Sequence, residues 1–195
     1  KQIVVGQRDA KSNLIPFEGK VDGNGHTIKN LIFEEKATEA AVFPLLTGSV
    51  TNLFVENLQI KSNEKNYNRY RGFVGEVQSW AVLNNVHVKN ADIISTYTRT
   101  GTLIGHSTSS NALVHNCSVK NSKITSTYKG NYVQVVGGLI GGSESTGVVS
   151  VQNCFADNLA IHVEDAYACS AVGGIIGTMV AGSSIENCYI VNSNI

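Results

Sequence analysis

A parallel β-helix is the fold that this sequence predicts, and three observations predict it. The phrase Asn52-Leu53-Phe54-Val55-Glu56-Asn57 returns as Asn85-Val86-His87-Val88-Lys89-Asn90, Asn116-Cys117-Ser118-Val119-Lys120-Asn121, Asn153-Cys154-Phe155-Ala156-Asp157-Asn158 and Asn187-Cys188-Tyr189-Ile190-Val191-Asn192. A companion phrase precedes it, as Phe73-Val74-Gly75, Leu103-Ile104-Gly105, Leu139-Ile140-Gly141 and Ile175-Ile176-Gly177, with Val42-Phe43 as a worn copy. The leading asparagines are 33, 31, 37 and 34 residues apart. Repeats of that length are units too small to bury an apolar face alone, so they stack.

Residues 1–16 lie outside the repeat, and the apolar run at Ile3, Val4 and Val5 marks them as a lead-in strand or cap. Residues 17–195 then form one repeat domain. At its head, Phe17, Val21 and Ile28 surround the turn Asp22-Gly23-Asn24-Gly25, which joins two short strands tightly. The stretch from Ala41 to Leu45 lacks the glycines of the later copies, so the first coil is expected to be irregular. Within a copy, strand alternation puts Cys117 and Val119 on one face and Ser118 and Lys120 on the other. The asparagines at both ends interrupt the alternation, which suits bends where the side-chain amide bonds backbone freed by the turn. Helical periodicity is missing throughout. A propeller is the competing architecture, but its blades need hairpins, and Asn-Gly hairpin signals stop after Gly25. Stacked at about 4.8 Å per coil, the five leading asparagines and the five trailing ones become two ladders of amides. Val55, Val88, Val119, Ala156 and Ile190 become one internal column.

The opening run, Phe17-Glu18-Gly19-Lys20-Val21-Asp22-Gly23-Asn24-Gly25-His26-Thr27-Ile28, together with the Gly-x-x-Gly and Ile-x-Asn-like steps that follow, resembles the bacterial GLUG-repeat proteins. The resemblance covers most of residues 15–195. It implies a β-helix segment of a large secreted or cell-surface bacterial protein, such as an adhesin or the region before the protease domain of an immunoglobulin-A-cleaving zinc metalloprotease. Right-handed coiling, about five or six turns of it, is implied by that likeness and by the general handedness of crossovers.

Composition narrows the function classes. Lysine plus arginine and aspartate plus glutamate number 15 each in 195 residues, so no net field draws the chain to nucleic acid. No apolar stretch is long enough for a membrane span. The chain opens at Lys1 without a signal sequence and stops at Ile195 where a further coil would follow, so it is expected to be a piece of an exported, extracellular or cell-surface protein that carries further repeats or domains. Cys117, Cys154 and Cys188 occupy the slot of Leu53 and Val86, which predicts a buried column of free thiols. A bridge between neighbouring rungs is the alternative, and Cys169 has no evident partner.

No catalytic pattern is visible, and no cofactor is expected. The five histidines, at 26, 87, 106, 115 and 162, have no metal-ligand spacing. Asp22 reads as a turn residue bonding its own backbone, with a calcium ligand or a catalytic acid as the sharper alternatives. No Gly-x-Ser-x-Gly elbow or His-Glu-x-x-His helix occurs. Two aromatic series remain as candidate binding residues. The outward column beside the asparagines reads Phe54, His87, Ser118, Phe155, Tyr189: either a stacking platform for a sugar or apolar partner, or cross-strand packing. Its neighbour, Glu56, Lys89, Lys120, Asp157, has opposite charges at both ends and reads as sheet-surface pairing. The second series, Tyr67, Tyr70, Tyr97, Tyr128, Tyr132 and Tyr167, precedes the glycine strands beside the donors Arg69, Arg71, Arg99 and Lys129. Tyr67, Tyr97, Tyr132 and Tyr167 stand 8, 8, 9 and 10 residues before Gly75, Gly105, Gly141 and Gly177, so they are expected to gather along one edge, binding a glycan or host surface protein or else packing on each other. The chain therefore reads as a non-catalytic binding or adhesion segment. The alternative is a spacer in a secreted protease or polysaccharide-active enzyme.

Overall fold

The repeat phrase becomes a set of registered ladders in the computed structural model, which describes residues 3–34, 40–61, 70–127, 133–164 and 171–195. Ile28, Val55, Val88, Val119, Ala156 and Ile190 are successive parallel partners, as are Val21, Val50, Leu83, Val114, Val151 and Ile185. Val55, Val88, Val119 and Ala156 are buried, whereas Ile190 on the last of these rungs is 36% exposed. Each valine fully withdrawn from water contributes about 1.5–3 kcal/mol, so the column is a main source of cohesion.

Three faces make a turn. Strands such as Val74–Ser79 and Ile140–Ser143 carry the glycine phrase, and Ser49–Glu56 and Val82–Lys89 carry the asparagine phrase. A separate four-stranded parallel sheet, Tyr70–Arg71, Arg99–Gly101, Val135–Gly137 and Ala171–Gly173, closes the coil. Among the described residues there is no helix. The sequence suggested five or six coils. Among the described residues the closing sheet has four strands, so about four turns are three-sided; the asparagine face extends further at each end, and the glycine face by Phe43–Leu46 at the first. Ahead of the solenoid, Gln7–Arg8 pairs antiparallel with Leu14–Ile15.

The two marked bends are built differently. All ten ladder asparagines are left-handed, with φ between 48° and 59°, a conformation that asparagine tolerates better than other side chains. The glycine strands have ordinary φ and need space instead. A Cβ on Gly105 would lie 2.7 Å from the Arg71 nitrogen, and one on Gly141 2.8 Å from the Thr100 nitrogen, because the closing sheet passes that closely; the Gly105 oxygen of the adjoining rung is nearer still to Gly141, at 2.2 Å. The irregularity expected around Ala41 to Leu45 is not seen in the strand there. Phe43–Leu46 pairs in register with Val74, Glu76 and Val77, placing Pro44 opposite Gly75, and the rings of Phe17, Phe43 and Phe73 meet at 5.6 and 5.5 Å. The described part of the closing sheet begins only at Tyr70, so at Pro44 no described strand of it demands a glycine.

Amides link the rungs. Asn85 donates to Asn52 at 2.9 Å and Asn52 to Asp22 at 3.1 Å; Asn187 donates to Asn153 and Asn153 to Asn116, both at 3.3 Å. The line steps sideways once. Asn116 donates to Asn84 at 2.9 Å, and the Asn85 oxygen is held by His87 Nε2 at 2.7 Å. In the trailing ladder Asn57 donates to Asn30, Asn90 to Asn57 and Asn158 to Asn121, at 2.8, 3.1 and 3.0 Å.

Candidate functional site

Alternation places the residue after each Leu53-type position outward, and the parallel register stacks them. Thr27, Phe54, His87, Ser118, Phe155 and Tyr189 are successive partners. Phe54 and His87 stack with centroids 4.9 Å apart, and Phe155 and Tyr189 stack 5.0 Å apart at an interplanar angle of 4°. Ser118, buried between the two pairs, interrupts the row of rings. Two residues further along each strand, Glu56, Lys89 and Lys120 form a parallel charged column. Between ring wall and charged wall runs a groove of about 370 Å³, floored by Val55 and Val88 and reaching from Thr27 to Phe155. Four rung spacings separate those ends, about 19 Å.

Protonation in the groove follows from its partners. The Asn85 carbonyl oxygen only accepts, so His87 Nε2 carries the proton and Nδ1 accepts from the Ser118 hydroxyl at 2.8 Å. Burial, with the Lys120 charge second, pushes the His87 pKa down and keeps the ring neutral. Glu56 is held below the usual carboxylate range, first by its hydrogen bond to Lys29 and then by that ammonium charge, at a separation of 2.8 Å. Asp22 at the turn accepts from the Asn24 nitrogen at 2.9 Å and then from Asn52, which lower its pKa in that order.

The tyrosine series divides. Tyr67, Tyr128, Tyr132 and Tyr167 lie outside the described residues, as do Arg69, Lys129 and Cys169. Tyr70 and Tyr97 are half-buried. The Tyr70 ring meets His106 at 4.5 Å, and Tyr97 lies 4.6 Å beneath the guanidinium of Arg71. Arg71 is fully buried, so it does not present donors to solvent as the sequence suggested. Beside Tyr70, Glu144 pairs with Arg99 and stands 3.7 Å from His106, whose ring nitrogens have no hydrogen-bond partner. Burial, then the Arg99 charge, lowers the His106 pKa to about 3, so this ring too is neutral.

Cys117, Cys154 and Cys188 are free thiols in one column, the sulfur of each later rung accepting from the backbone nitrogen of the one before at 3.3 and 3.4 Å. Burial pushes the Cys117 thiol well up, which makes it a poor nucleophile. Among the described residues no group of three or more histidine, cysteine or acidic side chains is placed to hold a metal ion. No helix among them is long and apolar enough to cross a membrane.

No family model matches the chain. No curated protein matches it either. Among solved structures, a putative immunoglobulin A1 protease from Bacteroides ovatus is 22% identical with a TM-score of 0.48; the match covers 87% of this chain and 59% of that one.

One exposed ring escaped the sequence reading altogether. Trp80, at the turn after Val74–Ser79, is 71% exposed beside a more open depression flanked by Lys20 and Thr51. It occurs once in the chain, so no repeat column pointed to it.

Proposed function

We propose that this solenoid is a non-catalytic binding segment of an exported bacterial protein of the GLUG-repeat kind, holding an extended glycan or host surface protein along the ring-lined groove. The observation that carries the reading is the wall itself: two stacked ring pairs, with Phe54 and Tyr189 39% and 53% exposed, lie in line on the outward face of the sheet. Phe155 and Tyr189 together are worth about 2 kcal/mol to a bound ring, or about thirtyfold in affinity. The test is an immobilised-glycan and host-surface-protein screen with the intact chain and its Phe155→Ala/Tyr189→Ala variant. The expected result is a binder whose affinity falls about thirtyfold in the variant while the thermal midpoint moves little. A screen without binders, or a binder indifferent to both rings, sinks the reading.

A second reading, a spacer that positions the protease or polysaccharide-active domain of a secreted enzyme, is favoured by the GLUG-like run between Phe17 and Ile28. Fusing a reporter domain after Ile195 and finding export and activity independent of the groove residues would support it over the first.

A further inference from the structure

The charged wall of the groove does not alternate in sign along its length. In register it runs Lys29, Glu56, Lys89, Lys120, Asp157. Both acids are engaged, Glu56 by Lys29 at 2.8 Å and Asp157 by the Asn192 amide at 3.0 Å. Lys89 and Lys120 are left as direct partners on adjoining strands. A like-charge pair directly opposite in a sheet is repulsive, and here that repulsion is set against the attraction of Glu56 beside Lys89 and of Asp157 beside Lys120. Neither lysine closes an ion pair among the described residues. Both are exposed, and the Lys120 ammonium leans across to 5.0 Å from the Phe155 ring, toward the opposite wall.

The same rungs are where the ring wall is broken. Ser118 shares its rung with Lys120, and its neighbours in the outward column are His87 and Phe155, so the place between two rings holds a hydroxymethyl group and, beside it, the Lys120 ammonium reaching over the Phe155 ring. A groove about 19 Å long, apolar on one side, cationic in the middle of the other and short of one ring between them, calls for a ligand with apolar ring faces, a polar edge and negative charge.

We propose that the middle of this groove binds an acidic sugar, a six-membered ring carrying a carboxylate, with the ring over Ser118 against His87 and Phe155 and the carboxylate between Lys89 and Lys120. The inference rests on the groove being a binding surface and adds the chemistry of its ligand. Of the neighbouring acids, Glu56 is paired with Lys29 and Asp157 bonds the Asn192 amide from the rung beyond, so neither lies between the two lysines. The anion removes the repulsion that the empty groove carries.

The intact chain is titrated calorimetrically with a uronic-acid hexasaccharide and with the same hexasaccharide after reduction of its carboxyls. The acidic form is expected to bind at least about tenfold more tightly, and Lys89→Gln/Lys120→Gln to abolish that difference, since a charge-assisted hydrogen bond from an ammonium to a carboxylate is worth about that factor. The advantage should also shrink as salt rises from about 20 to about 200 mM. In the unliganded protein the double variant should melt at nearly the same temperature, because the repulsion removed offsets the lost attraction of Lys89 to Glu56 and of Lys120 to the Phe155 ring. Equal binding of the two saccharides, or an acidic preference untouched by the lysine substitutions, overturns the inference. If Phe155→Ala weakens both forms in that case, the groove reading stands without it. Binding of neither saccharide overturns the acidic-sugar inference, and the wider screen then decides whether the groove binds anything else.

Discussion

The asparagine bends and the glycine seam recur with the same period, yet opposite constraints maintain them. At Asn116 or Asn153 the limit is the backbone angle: the chain turns through left-handed φ in the open, and the amide then bonds the rung before. At Gly105 or Gly141 the angle is ordinary and the limit is another backbone, close enough to forbid a methyl group. A repeated small residue in a solenoid therefore has two meanings. Only substitution tells them apart, because glycine should serve at the first kind of site and nothing but glycine at the second.

The sharpest way to break this distinction is Gly141→Ala. With backbone oxygen 2.2 Å from the added carbon, the strand must move, and a loss of about 3 kcal/mol or more is expected in urea denaturation. A loss below about 1 kcal/mol would show that the seam has slack.

Next comes a titration that belongs to the seam side alone. His106, wedged by Tyr70 and denied Glu144 by Arg99, stays neutral down to about pH 3, whereas in the unfolded chain it takes up a proton near its ordinary pKa. The unfolded state thus binds more protons in that window, and stability falls as pH drops from the ordinary histidine value toward 3. The slope is at most about 1.4 kcal/mol per pH unit from this one group. His106→Gln should be closest to wild type, or above it, at the acid end. A stability gap that stays constant between pH 7 and pH 4 would mean that His106 is protonated in the fold.

Smaller effects are expected at the bends. Asn116→Ala forces alanine into left-handed φ and removes two amide hydrogen bonds, costing about 1–2 kcal/mol. Asn116→Gly restores the angle without those bonds and should cost about half as much. If glycine and alanine prove equally damaging, the amide bonds and not the backbone angle hold the bend.

Much of the fold was legible because each rung repeats its bend markers, so aligning Asn52 with Asn85 already aligns Val55 with Val88 and Phe54 with His87. Local departures were not legible. Pro44 looked like a defect, since nothing in the sequence says how far the closing sheet extends. Arg71 looked like a surface donor because burial of a guanidinium depends on a ring, Tyr97, supplied from the next coil. The outward ring column was visible before its stacking was, but the Lys89 and Lys120 pair was read through its oppositely charged ends. Trp80 has no counterpart in the other coils, and a residue without counterparts carries no periodic signal.

The amide ladders also have a direction. From Asn187 to Asn84, and from Asn85 to Asp22, every side-chain N–H in the leading line points toward the first coil, and the trailing ladder runs the same way. Aligned amide dipoles add, as they do along a helix, so the solenoid carries a weak electrical polarity along its axis, positive toward the beginning of the chain. The acceptor that closes the leading line there is Asp22, a carboxylate with no hydrogen to donate, so this end could not be reversed without leaving two acceptors face to face. A solenoid that is chemically different at its two ends can tell them apart when coils stack, which makes growth by adding coils in one orientation easier than joining two such ends head to head.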